Sequence, residues 1–148
     1  MKPSMRSTIT AALLGAALVF AGAASAEVII LKAALKASNE VPPNNSTGTG
    51  NTEASFDTVT KTLTYTVTYS GLTGAVIGAH FHGPTEQGKN AGIVLPFNFV
   101  ATPIKGTAVL TDAQAADLLA GKWYTNLHTA ANPGGEIRGQ VRFDHRKH

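Results

Sequence analysis

The sequence predicts an all-β, antiparallel sandwich or barrel with a single short helix. Three observations lead there. Beyond Glu27 the chain is rich in Val, Thr, Ile and Tyr, its apolar and polar residues alternate with a period of two, and turn-forming clusters recur at short intervals. The helix is confined to one segment that carries both start and stop signals.

Residues 1–26 come first and read as a secretory signal peptide. Lys2 and Arg6 give a positive n-region, Ile9 to Phe20 an apolar small-residue core, and Ala24-Ser25-Ala26 an Ala-x-Ala cleavage site, so the mature chain is expected to start at Glu27. The alanine-rich core is short for a bilayer span, and no membrane anchor is expected after cleavage. The domain itself is expected over 27–143, with 144–148 as a flexible tail.

Val28 to Ala37 opens the domain as a strand, and Asn39 to Gly50, with Pro42 and Pro43, follows as a loop that cannot hold a ladder. Asn44-Asn45-Ser46-Thr47 within it has the form of a glycosylation acceptor. Thr52 to Phe56 and Leu63 to Tyr69 form a hairpin around Asp57 to Lys61, because Leu63, Tyr65, Val67 and Tyr69 alternate with Thr64, Thr66 and Thr68. In the next strand Ile77, Ala79 and Phe81 take the core face, leaving Gly78, His80 and His82 on the other. Ile93 to Phe99 is an apolar strand whose Pro96 favours an edge. Thr111 to Ala120 is the helix: Thr111 caps it with Gln114 three residues on, and Gly121 ends it. A strand from Trp123 to Thr129, an Asn132-Pro133-Gly134-Gly135 turn and a strand from Glu136 to Phe143 complete the domain.

Composition removes several function classes. Once Lys2 and Arg6 leave with the signal peptide, ten basic residues face nine acidic ones, so the alkaline isoelectric point implies no nucleic-acid partner. Cysteine is absent and both methionines, Met1 and Met5, lie in the signal peptide. A mature chain without sulfur excludes disulfide scaffolding, thiol catalysis, iron–sulfur clusters and thiolate copper sites. Hydrolase elbows, paired carboxylates and dinucleotide fingerprints are missing as well.

What remains is histidine. On an extended strand His80 and His82 lie on one face, about 6.5–7 Å apart at Cα. Tyr124, Asn126 and His128 share a parity on the later strand, so His128 can point at the same spot if the two strands are neighbours. Arg138 shares a face with Glu136; it can pair with that residue, pin turn carbonyls near Asn132, or steer an anion.

The motifs Leu35-Lys36-Ala37-Ser38-Asn39-Glu40-Val41-Pro42-Pro43, Gly71-Leu72 with Ala79-His80-Phe81-His82-Gly83-Pro84, and Tyr124-Thr125-Asn126-Leu127-His128-Thr129 with Asn132-Pro133-Gly134-Gly135-Glu136-Ile137-Arg138-Gly139-Gln140 resemble the CHRD domain, a module widespread in secreted bacterial proteins. The resemblance covers nearly all of Glu27 to Phe143 and implies an extracytoplasmic β-sandwich, periplasmic or secreted. A second similarity, to copper/zinc superoxide dismutases, rests on the order Gly71-Leu72, His80-Phe81-His82, His128 and Gly135-Glu136-Ile137-Arg138. It implies an antiparallel Greek-key β-sandwich, superoxide-dismutase-like, holding one ion on His80, His82 and His128. No bridging histidine lies between His82 and His128, so a zinc-free, single-ion site is what this similarity supports.

An all-imidazole set suits Cu(II), the first choice, or Zn(II), and disfavours Cu(I). Three readings follow: a copper-binding domain, a copper-only superoxide dismutase-like redox enzyme on the same residues, or a metal-free module that binds an extracytoplasmic protein partner.

Overall fold

The structure is a computed structural model that describes residues 25–145 and Gly15. Nearly all of the expected signal peptide, and 146–148 of the expected tail, lie outside the described residues.

Among the described residues, nine strands and one α-helix follow in the order β1 Val28–Lys36, β2 Thr49–Asp57, β3 Thr62–Ser70, β4 Val76–His82, β5 Ile93–Pro96, β6 Ile104–Val109, α1 Asp112–Leu119, β7 Tyr124–Thr129, β8 Ile137–Gln140 and β9 Arg142–Phe143, with a short 3-10 turn at Ala37–Asn39. All pair antiparallel in one sheet ordered β5-β4-β7-β8-β1-β2-β3-β6, while β9 adds to the first half of β1. The sheet curls until its two ends face each other. Tyr65 of β3 meets Phe81 of β4 edge-on at 5.1 Å, and the Thr52 and Thr125 hydroxyls bond at 2.8 Å in the sealed interior. The antiparallel all-β class with one short helix is therefore as expected, with the two layers of the sandwich joined through β8 and β1.

Period-two patterning builds this core. Leu31, Ala33 and Leu35 of β1, Leu63, Tyr65 and Val67 of β3, and Ala79 and Phe81 of β4 are all buried. Complete burial of Leu31, Phe56, Leu63, Phe81 and Leu127 contributes about 1.5–3 kcal/mol for each side chain. The β2–β3 hairpin turns where Asp57 Oδ1 accepts the Val59 and Thr60 amides at 2.8 and 2.9 Å, an Asx turn. At α1 the expected capping box is complete: Thr111 accepts from the Gln114 amide while the Gln114 side chain accepts the Thr111 amide. Ala115 and Leu118 dock the helix, and Gly121 at φ 73° ends it.

Five details differ from expectation. A strand at Ile104–Val109 pairs with β3 throughout, although Lys105-Gly106-Thr107-Ala108 carries almost no strand signal. Gly106 stands opposite Tyr65, whose ring covers it so closely that a Cβ there would strike the ring. Next, β2 begins at Thr49 rather than Thr52, and β5 ends at Pro96 rather than Phe99. Ile77 is 61% exposed instead of facing the core, because the β4–β7 register shifts between Val76 and Gly78 and Val76 takes the inward place. Finally, Asp144 is not free tail: its amide donates to the Ile30 carbonyl at 3.0 Å and its carboxylate lies 3.1 Å from Lys32 Nζ.

One buried carboxylate closes the loops. Glu136, wholly inaccessible, accepts from Ser46 Oγ at 2.8 Å, the Thr73 amide at 3.0 Å, Thr129 Oγ1 at 2.7 Å, Asn132 Nδ2 at 3.2 Å and the Thr73 hydroxyl. Asn44 Nδ2 donates at 2.9 Å to the Glu136 carbonyl, so the first of the two asparagines in the glycosylation-like motif is engaged, while Asn45 is exposed. Burial alone would raise the Glu136 carboxyl; the bonds from Thr73, Thr129 and Ser46 together outweigh it and hold it at about 2. A folded-state value below the unfolded one stabilises the fold above the unfolded pKa and loses that contribution as acid protonates the group. Denaturation midpoints should therefore fall as pH drops from about 4.5 toward 2. In Glu136→Gln, expected to cost about 1–3 kcal/mol at neutral pH, that acid limb should flatten; an unchanged limb in urea titrations would assign it to another group.

Candidate metal centre

The β4–β7 ladder places His128 opposite Gly78, Asn126 opposite His80 and Tyr124 opposite His82. All these side chains stand on the face turned away from the apolar core, which is the parity the sequence predicts. His80 and His128 are thus diagonal neighbours, and His82 lies two residues further along. Ring centroids are 5.4 Å apart for His80–His82, 5.0 Å for His80–His128 and 5.8 Å for His82–His128. One ring nitrogen from each lies within 4.8 Å of the other two. Gly78 makes room, since a Cβ there would come within 3.3 Å of His80 Cε1.

Two of the rings are held by backbone carbonyls. His82 Nδ1 lies 2.9 Å from the Ala91 oxygen, and His128 Nδ1 lies 2.9 Å from the Pro133 oxygen. A carbonyl only accepts, so each Nδ1 carries the hydrogen and each Nε2 keeps its lone pair. Those two Nε2 atoms, together with His80 Nδ1, are buried and have no hydrogen-bond partner. Burial, followed by the charges of His128 and His82, lowers His80 to about 4. Burial lowers His82 too, against the opposing bond from Ala91. Neutral imidazoles with free lone pairs are what a cation requires.

A stack of flat groups backs His82. The Tyr124 ring lies parallel to it, 4.9 Å away at a 1° interplanar angle, and the Arg138 guanidinium sits 4.2 Å above the Tyr124 centroid. The Tyr124 hydroxyl donates to the Ala91 oxygen at 3.2 Å and accepts the Ala91 amide at 3.1 Å. Arg138 is 4% exposed and bonds Glu40 Oε2 through Nε and Nη2 at 3.1 and 3.0 Å, the Lys89 carbonyl at 3.2 Å and Asn90 Oδ1 at 2.7 Å. It pairs with Glu40, then, and neither with Glu136 nor with carbonyls near Asn132; sealed under residues 89–90, it is not placed to steer an anion. Burial pushes the Glu40 carboxyl up to about 7 against the pull of Arg138. Glu40 Oε1 packs against Gly135, where φ is +127° and a Cβ would meet that oxygen at 2.7 Å.

Sequence reasoning located His80, His82 and His128, and the structure brings all three together. It missed Glu40 and the Ala91 and Pro133 carbonyls. Glu40 offered one signal, a lone acidic residue before Pro42-Pro43, and the carbonyls offered none.

Fold and site define an all-β domain with a cluster of three histidines on the outer face of a strand pair. Residues 31–141 match the CHRD domain, and the chain belongs to that family. Domains of this family are in general extracellular or secreted. No curated protein and no solved structure matches the chain, and no relationship to copper/zinc superoxide dismutases is shown. Among the described residues, no helix is long and apolar enough to cross a membrane.

In the metal-free protein His80 should stay neutral until about pH 4, and stability should decline as pH falls from about 6.5 toward that value, because the unfolded chain takes up protons first. Imidazole nitrogen shifts followed by NMR would report this directly, and a His80 titration near 6.5 would mean that the ring is solvated.

Proposed function

We propose that this CHRD domain binds one divalent metal ion through His80, His82 and His128, with copper(II) preferred and zinc(II) as the alternative, in the periplasm or outside the cell. The observation that carries the reading is the trio of buried ring nitrogens without partners. Leaving a buried acceptor unsatisfied costs about 1–3 kcal/mol, and here three such nitrogens belong to three histidines that each bring one ring nitrogen within 4.8 Å of the others. A cation offsets it. The donor set is borderline and free of sulfur, which matches copper(II) and zinc(II) better than copper(I) or the hard cations magnesium and calcium. Two of the three histidines are also oriented through Nδ1 by carbonyls, the outer support that ligating imidazoles ordinarily have.

Titration of a His145→Ala/His148→Ala background with copper(II), followed by calorimetry and EPR, should give one ion per chain. His80→Ala and His128→Ala should each weaken binding tenfold or more at little cost to folding. The bound ion should leave as pH falls through about 6 to 4, when protons compete for the rings. Equal binding in all three single histidine variants would defeat the proposal and return the domain to a metal-free interaction role.

A further inference from the structure

Arg138 is a buried cation whose hydrogen bonds go to no histidine, yet its contacts converge on the loop and the ring that flank the Ala91 carbonyl bonded to His82. Its Nη1 bonds the Lys89 oxygen and its Nη2 bonds Asn90 Oδ1, the two residues just before Ala91. Asn90 Nδ2 in turn donates to the Val41 carbonyl at 3.1 Å, one residue beyond Glu40. On its flat face the guanidinium covers Tyr124, whose ring lies along His82 and whose hydroxyl holds both the amide and the carbonyl of Ala91. Two routes, one along the loop and one through the ring stack, therefore end on the same His82 imidazole.

We infer that Arg138, locked by Glu40, is a positioning residue for the metal centre: it holds residues 89–91 and the Tyr124 ring so that the His82 Nδ1 hydrogen stays on the Ala91 carbonyl and the Nε2 lone pair faces His80 and His128. The inference rests on the metal-binding reading above. It explains why arginine stands here. A lysine offers one compact charge, which cannot span Glu40, the Lys89 carbonyl and Asn90 at once, nor stack on an aromatic face. It explains the burial of Glu40 as well, since a buried guanidinium needs a buried acceptor and Glu40 Oε2 accepts from both Nε and Nη2. Tyr124 is fixed by the same group on the side away from His82, so the ring cannot tilt without breaking the guanidinium contact.

The test compares copper(II) affinity and the His82 Nδ1 proton resonance in wild type, Arg138→Lys, Asn90→Ala and a core control, Leu63→Ala. Wild type must first bind copper; if it does not, the metal-binding reading itself fails. Given binding, Arg138→Lys should lower affinity roughly 10- to 100-fold, the usual effect of removing a group that orients a ligand, and should expose the His82 proton to fast exchange with water. Asn90 is exposed, so Asn90→Ala keeps the buried ion pair and decides the matter if Arg138→Lys does not fold. It should cost at least fivefold in affinity, with the same faster exchange. Leu63→Ala should lower the melting temperature while leaving affinity and exchange unchanged. Affinities within twofold of wild type in the folded Arg138 or Asn90 variants, or an equal loss in Leu63→Ala, would overturn the inference.

Discussion

A carboxylate sealed from water with no cation beside it is the constraint on which the loop end of this domain depends. Glu136 can remain charged only while Ser46, Thr73, Thr129 and Asn132 all point at it, and those residues come from three separate connections and the end of β7. Its position fixes the turn before β8. That turn carries Pro133, whose carbonyl orients His128. Stability and site geometry thus share one anchor. Glu40 shows the opposite solution to burial, a carboxylate whose dominant influence is desolvation and whose partner is a guanidinium.

The β4-β7-β8 layer is covered on both faces, and the two faces differ in kind. Inward lie Ala79, Phe81, Leu127 and Ile137; outward lie His82, Tyr124, Asn126 and Arg138, buried under residues 37–44 and 83–92. An antiparallel sheet usually gives its second face to water. Here that face is a polar core in which most groups have a specific partner; the buried atoms without one are the three histidine nitrogens and two oxygens, Glu40 Oε1 and Asn126 Oδ1.

Legibility in the sequence tracked the range of the interactions concerned. Period-two strands, the Thr111–Gln114 box and the common parity of His80 and His82 are local properties, and the structure reproduces them. The strand at Ile104–Val109 was not legible, because its place depends on Tyr65 covering Gly106 from a strand some forty residues away. Arg138 misled for a related reason. Glu136 is its neighbour along the strand, while Glu40, its partner, is 98 residues distant. Backbone carbonyls such as those of Ala91 and Pro133 carry no residue identity, and no motif can announce them.

The bulge at Ile77 bears on how such a site tolerates change in chain length. A strand that gains or loses one residue normally turns all of its later side chains to the opposite face. In β4 the pairing of His80 and His82 with β7 is set after the irregularity, while the segment before it is already out of step and carries an exposed Ile77. A one-residue insertion or deletion between Thr73, which is tied to Glu136, and the bulge can be absorbed at that point, leaving the histidine parity intact. The bulge works as a slip joint, separating the preceding connection from a strand half that has no freedom to shift.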